Sequence, residues 1–370
     1  MNIENVNVII IINDYTKMGG VEKVTANLSK LFMCSNFSFQ GVISLNREFD
    51  NPKIKYPAQL PFFVMKTGEI KKIIQEKKIT HVIIQTQLLK ETLDILKQLD
   101  GLDVKKIPVL HSTPYAYLRF FYKKNNIIDF IRYLKMIFIT RQRSLYFIKE
   151  IIKRSNKFLL VSKKAEEELK FILAPKYHNK ISFIYNAHDI QVERNNNKEN
   201  IIVYAGRLAP EKQVFKAVKL LAPILKANSN WHLEILGEGC EKNIIENFIL
   251  DNNINNVFLR GSVDNVFDYL SRAKISFLYS LYEGLPTSML EASFYNNVLV
   301  TSDSKGGVSD IVENNINGFI VNNDMEFVRK VESLIADETL AINLSNGNSR
   351  VRQKFDNTKI IKLWENLFIQ

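Results

Sequence analysis

Cysteine, proline, glycine and acidic residues are all scarce in this sequence, and each scarcity excludes a class of protein. Cys34 and Cys240 are the only two cysteines in 370 residues. They lie far apart and outside any metal-ligand spacing, which excludes a disulfide framework and a cysteine zinc site and suits a reducing cytoplasm. With 14 glycines and 9 prolines, collagen-like and low-complexity classes are excluded too. No apolar run approaches the roughly 20 residues that cross a bilayer, because even the greasy segment 127–139 is interrupted by Asp129, Arg132 and Lys135. The short run from Val8 to Ile12 follows Glu4 with no basic residue and ends in Asn13-Asp14, the pattern of a buried strand rather than a secretory signal. Nucleotide signatures are missing as well: neither G-x-G-x-x-G nor the P-loop occurs. The shortage of acids is the informative one. Against 50 Lys and Arg there are 39 Asp and Glu, a net charge of +11, which asks for an anionic partner such as nucleic acid, a membrane or a phosphorylated substrate.

What is present is the alternation of an α/β fold. Runs rich in Ile, Val and Phe alternate with segments of helical period, the pattern of βαβ units around a parallel sheet. Val6 to Ile12 predicts a first strand; after the loop 14–20, Val21, Val24, Leu28 and Leu31 share one face of a helix. His81 to Gln85, Ile107 to His111 and Lys157 to Ser162 predict further strands. The opening pattern restarts after a polar stretch, 189–200: Ile201 to Tyr204 predicts a strand, 205–212 a loop, and Val214, Ala217, Val218 and Leu221 a helix. Trp231 to Leu236, Asn256 to Leu259, Ile275 to Tyr279, Val298 to Thr301 and Gly318 to Val321 follow as strands. The expected architecture is two Rossmann-like domains facing across a cleft, over 1–187 and 188–352, with 353–370 a helix that packs back toward the first. In such sheets ligands bind beyond the carboxyl ends of the strands.

The candidate chemistry falls on those βα loops. Gly19-Gly20 opens the first helix, where small residues admit a ligand and free N–H groups face an anion, although a plain turn fits equally well. Arg207 and Lys212 place a guanidinium fork and an ammonium on one loop, a pairing suited to a diphosphate. In Tyr282-Glu283-Gly284-Leu285-Pro286-Thr287-Ser288, continuing to Glu291, a carboxylate precedes a helix start and another lies inside the helix. Two carboxylates beside an anion pocket suit a hydroxyl-rich ligand, since carboxylates accept strong hydrogen bonds from hydroxyls.

With seven residues between them, Glu283 and Glu291, framed as Glu-Gly-Leu-Pro and Leu-Glu-Ala, resemble the signature of retaining family-4 (group 1) glycosyltransferases of the GT-B fold. The resemblance runs along the whole chain: Gly19-Gly20-Val21-Glu22, the strand end at His111, Asn186, the loop 207–212, Gly237-Glu238-Gly239, Gly261-Ser262-Val263, the two-glutamate motif and Gly306-Gly307-Val308. It implies that Arg207 and Lys212 hold the diphosphate of a nucleotide-sugar, with a UDP-sugar the first guess, and that Glu291 takes the ribose hydroxyls. Glu283 and the backbone over Gly284, Leu285, Pro286 and Thr287 would orient the transferred sugar and distal phosphate. Gly19 and Gly20 would admit that phosphate, Val263 and Gly237 would line the base pocket, and His111 would face the sugar from the acceptor side. Transfer would retain configuration and need neither a metal nor a cofactor, in keeping with the missing Asp-x-Asp pair and the five scattered histidines. Two positions depart from the family pattern: Asp310 replaces a Glu, and Asn297-Val298-Leu299 replaces Gly-x-Pro.

The positive charge is concentrated. Residues 115–154 hold ten of the Lys and Arg residues, among them Arg119, Lys123 and Lys124, against the acids Asp129 and Glu150 alone. The same stretch holds ten aromatics, including Tyr117, Phe120, Phe121, Phe138 and Phe147. This mixture suits helices in a membrane interface, while a packed helical insertion with solvated charges is the plainer reading. No nucleic-acid motif accompanies it. The expected protein is therefore a cytoplasmic, peripheral membrane glycosyltransferase that extends a lipid-linked saccharide acceptor in surface polysaccharide or lipopolysaccharide synthesis. Its rivals are a nucleotide-sugar epimerase of the same fold and a catalytically silent, membrane-recruiting subunit.

Overall fold

The computed structural model describes residues 3–15, 19–45, 62–64, 69–85, 89–116, 127–190 and 197–370. The aromatic and basic residues expected over 117–126, and the linker residues 191–196, lie outside these. The chain divides into two compact units, the first Met1–Tyr117, Phe130–Asp189 and Phe355–Gln370, the second Leu118–Asp129 and Ile190–Lys354.

Unit 1 is built on seven strands: β1 (Asn7–Ile12), β2 (Ser38–Ser44), β3 (Phe62–Val64), β4 (His81–Gln85), β5 (Lys105–Leu110), β6 (Phe158–Leu160) and β7 (Ile181–Phe183). They form one parallel sheet in the order β3-β2-β1-β4-β5-β6-β7. At its centre Ile9 pairs with Val82 and Ile11 with Ile84, all fully buried. A central parallel strand is covered on both faces, which is why β1 and β4 read as unbroken apolar runs rather than alternating ones. The connecting helices are α1 (Gly20–Met33), α2 (Ile70–Glu76), α3 (Leu89–Gln98), α4 (Ile127–Arg154, in this unit from Phe130 onward) and α5 (Lys163–Ile172). Each of α1, α2, α3 and α5 buries one apolar stripe, such as Val24, Leu28 and Phe32 on α1.

Unit 2 repeats the plan with β8 (Glu199–Ala205), β9 (His232–Leu236), β10 (Val257–Gly261), β11 (Ala273–Leu278), β13 (Val298–Ser302) and β15 (Gly318–Val321), while β12 (Tyr282–Glu283) and β14 (Lys305–Gly306) make a small separate pair. The main sheet is parallel in the order β10-β9-β8-β11-β13-β15. Its helices are α6 (Val214–Ala227), α7 (Lys242–Asp251), α8 (Val266–Arg272), α9 (Thr287–Phe294), α10 (Val308–Ile311), α11 (Asp324–Ala336), α12 (Glu338–Asn346) and α13 (Asn348–Lys354). The chain then rejoins unit 1 as α14 (Asn357–Ile369). Ile360, Trp364 and Phe368 recur every fourth residue on α14 and are buried. Trp364 meets Phe32 of α1 edge-on at 5.4 Å, and Phe368 meets Phe37 at 4.9 Å.

Candidate functional site

Both sheets reverse their strand order once, between β1 and β4 in unit 1 and between β8 and β11 in unit 2. At such a point neighbouring βα loops diverge and leave a crevice beyond the strand ends. In unit 2 the loops after β8 and β11 are the ones that carry Arg207, Lys212 and Glu283.

The first of these loops is organised by its own strand. Tyr204, fully buried near the end of β8, donates its hydroxyl to the Arg207 carbonyl at 2.9 Å. Burial, with the Glu283 carboxylate second, pushes the Tyr204 phenol far above its ordinary pKa, so it stays a donor. A Cβ on Gly206 would lie 2.9 Å from that hydroxyl. Neighbouring loops are stitched on by the backbone: Gly206 N–H donates to Leu236 at 2.9 Å, Leu208 to Glu238 at 2.9 Å, and Gly237 to Gly261 at 2.7 Å. The glycines are obligatory here, because at φ +141° a Cβ on Gly237 would sit 2.0 Å from the Gly206 carbonyl oxygen. Gly237 thus packs the loops together through its bond to Gly261, which lies two residues before half-buried Val263.

Lys212 Nζ and Glu283 Oε1 are 2.5 Å apart, with side chains 18% and 10% exposed. Two residues 71 positions apart in sequence are therefore a direct ion pair. Arg207 points outward, 75% exposed, and its NH2 group donates to Glu211 Oε1 at 3.1 Å. Leu281 N–H donates to the Glu211 carbonyl at 2.9 Å, which ties this loop to the next. Glu283 itself is held in the β12–β14 pair, where Glu283 registers with Gly306 and Gly307 N–H donates to the Gly284 carbonyl at 2.9 Å.

Helix α9 begins directly after this pair. Pro286 stands at its N-cap and its carbonyl accepts from both Met289 and Leu290 at 3.1 Å. The N–H groups of Thr287 and Ser288 have no acceptor among the described residues, so they are available to an anion. Leu285, just before the helix, is buried, and Glu291, in the second turn, is 7% exposed. The structure therefore gathers Arg207, Lys212, Glu283 and the α9 N-terminus around the loops beyond β8 and β11. Among the described residues no three His, Cys, Asp or Glu side chains converge as a metal site.

Unit 1 has its own candidates. Gly19 is the N-cap of α1 and Gly20 its first residue; a Cβ on Gly20 would meet nothing within 4 Å. His111 follows β5, and its Nε2 is buried with no hydrogen-bond partner among the described residues. Burial lowers its pKa to about 4, so the ring is neutral at pH 7. It lines a small cavity with Gln85, Asn186 and Trp364. Two structural contributors escaped the sequence reading: Tyr204, whose only signal was a tyrosine inside an apolar strand, and Glu211, whose carbonyl joins two loops.

Residues 186–351 match the sequence model of the family described as glycosyl transferases group 1. Among curated proteins, the chain is 30% identical over 174 residues to a poly(ribitol-phosphate) alpha-N-acetylglucosaminyltransferase of Staphylococcus aureus, covering 46% of this chain and 35% of that protein. It is 28% identical over 185 residues to a Campylobacter jejuni alpha-1,4-N-acetyl-D-galactosaminyltransferase whose name specifies a saccharide on diphospho-undecaprenol, covering 49% and 51%. The chain thus spans about a third and about half of these two relatives. An uncharacterized glycosyltransferase of Methanocaldococcus jannaschii matches more fully, 28% identical with 85% of this chain and 86% of that protein covered. In fold, the chain resembles TarM of Staphylococcus aureus, solved with UDP, at TM-score 0.79 and 15% identity over 99% of this chain and 100% of that one. HepE of Anabaena, solved with UDP and glucose, superposes at 0.76 and 16% identity, covering 98% and 100%.

Proposed function

From a chain whose residues 186–351 belong to the group 1 glycosyl transferases and whose two units have the GT-B fold, we propose a retaining glycosyltransferase that moves a sugar from a UDP-sugar to a saccharide acceptor carried on a lipid, in cell-surface glycan synthesis. The observation that carries the donor side is the cluster in unit 2: the Lys212–Glu283 pair, Arg207 on the same loop, and the unspent N–H groups of Thr287 and Ser288. Together they offer two cations and a helix N-terminus to a diphosphate, beside carboxylates that suit sugar and ribose hydroxyls. Arg207 and Lys212 stabilise the charge that grows on the leaving diphosphate. Glu283 orients the sugar and Glu291 the ribose, while Val263 and Gly237 border the base. Gly19 and Gly20 belong to the same reading, Gly20 with open space beside it and Gly19 with the Glu22 carboxylate where a side chain would stand.

The bond from the sugar's anomeric carbon to the phosphate oxygen breaks, the acceptor oxygen bonds to the same face of that carbon, and the acceptor's proton passes to the departing phosphate oxygen. The protein's share is position and charge rather than a strong base, and neither metal nor cofactor enters. On unit 1, His111 is a neutral imidazole able to hold a hydroxyl of the acceptor. The Campylobacter relative's undecaprenol-linked substrate supports the choice of a lipid-linked acceptor, and the UDP in the TarM and HepE structures supports the choice of nucleotide.

The test is UDP release in the presence of a chelator, with and without saccharide acceptors, for the wild type and for Arg207→Ala, Lys212→Ala and Glu283→Ala. Each variant is expected to lose at least about a hundredfold in kcat/KM. Unchanged turnover in all three overturns the site; donor interconversion without acceptor marks an epimerase instead.

A further inference from the structure

Helix α4 departs from the rule that the other long helices of unit 1 obey. Ile148, Ile151 and Ile152 near its C-terminal end are buried in the core, and Leu145 packs partly against it. Traced toward the N-terminus, the stripe of Ile152 and Leu145 continues through Phe138, Leu134 and Ile131 at spacings of seven, four and three. There it is bare: Phe138 is 61%, Leu134 49% and Ile131 58% exposed. Beyond the polar turn of Arg141 and Gln142 the apolar positions resume without burial. Rotation by 100° per residue places Lys135 and Arg141, both exposed, on opposite flanks of the stripe, with Arg132 and Arg143 also exposed. Of the helix's two acids, Glu150 is already bound to Lys153 at 2.6 Å. No described helix is long and apolar enough to cross a membrane.

We infer that α4 lies in the interface of an anionic lipid bilayer, with Ile131, Leu134 and Phe138 at the acyl boundary and Lys135 and Arg141 against headgroup phosphates. A bare apolar stripe with cations on both edges is complementary to that surface and to few others. A second copy of the chain fits worse. Two such stripes meeting would bring the Lys135 and Arg141 cations of each copy together, a like-charge cost that a phosphate surface does not impose.

The experiment is cosedimentation of the full chain with phosphatidylcholine vesicles, with and without phosphatidylglycerol, at low and high salt. Binding is expected only with the anionic lipid, weakening as salt rises. Lys135→Gln/Arg141→Gln is expected to weaken it about tenfold or more, as is Ile131→Ser/Leu134→Ser/Phe138→Ser, whose melting temperature stays that of the wild type because these side chains are already exposed. Absence of binding at low salt overturns the inference, and so does binding that the triple serine variant leaves intact. A dimer that the same variant dissolves assigns the stripe to a second copy, and a sharp fall in its melting temperature assigns it to packing within the chain; either outcome also overturns the inference. The assay needs neither donor nor acceptor, so its failure leaves the donor-site reading untouched, and an Arg207→Ala variant that binds vesicles but does not turn over keeps the two separable.

Discussion

Removing one partner of the Lys212–Glu283 pair strands the other as a charge with little water around it. In Lys212→Met the Glu283 carboxylate, 10% exposed, loses a cation 2.5 Å away. Orphaning a buried charge costs about 3–5 kcal/mol, and the residual solvent contact places this case at the lower end, about 3 kcal/mol. For a unit of the size of Ile190–Lys354, that lowers its melting temperature by about 6–12 °C. Glu283→Gln is milder, about 1–2 kcal/mol, because the amide oxygen still accepts from Lys212. In Lys212→Met/Glu283→Gln no charge is stranded, so the double variant is expected to cost about 2 kcal/mol, less than the sum of the singles. The coupling energy is then about 2–3 kcal/mol, measured by urea unfolding of all four proteins in one buffer. Additivity within about 0.5 kcal/mol would refute the reasoning, because it would mean that water already screens the pair. On the proposed donor-site reading the consequence reaches function: Glu283 would hold Lys212 in place ahead of the diphosphate, which makes the pair preorganisation.

Three further outcomes follow from the same geometry. Gly237→Ala, whose Cβ would sit 2.0 Å from the Gly206 carbonyl oxygen at positive φ, is expected to cost about 3 kcal/mol or more, whereas Gly20→Ala, with nothing within 4 Å, is neutral or slightly stabilising; equal melting temperatures refute the contrast. Tyr204→Phe removes the hydroxyl 2.9 Å from the Arg207 carbonyl and is expected to cost about 1 kcal/mol and raise the donor KM, and an unchanged KM separates the hydroxyl from the site. Burial first, and Lys105 second, lowers His81 to about pKa 4 from 6.5, so the unfolded chain takes up the proton first as pH falls. Stability from this group is complete above pH 6.5 and drains away as pH falls from there through about 4; His81→Asn is expected to flatten that acid limb in denaturant titrations, and an unaltered slope counts against the assignment.

The parts of the fold legible in the sequence are those that a single element expresses by itself. Strands β1, β4, β8 and β11 announce themselves because central parallel strands are apolar on both faces. By contrast β2 begins Ser-Phe-Gln-Gly, and β3 and β7 have three residues each, so no run stands out. The site divides in the same way. Glycines at Gly206 and Gly237 are readable as close backbone approaches, since a loop that needs φ > 0 selects glycine locally. The Lys212–Glu283 pair is not, because its partners sit 71 residues apart and only the adjacency of β8 and β11 joins them. Asn297 shows the limit most clearly. Its side chain donates to the Leu270 and Ala273 carbonyls, Asn348 donates to the Asn297 carbonyl at 2.9 Å, and Asn317 donates to Asn348 at 3.1 Å. Where the family pattern has Gly-x-Pro, this chain therefore satisfies buried carbonyls with a chain of amides drawn from three separate segments. Such a network has no local signature, because Asn297 is tied to Leu270, Ala273 and Asn348, all more than twenty residues away in the sequence.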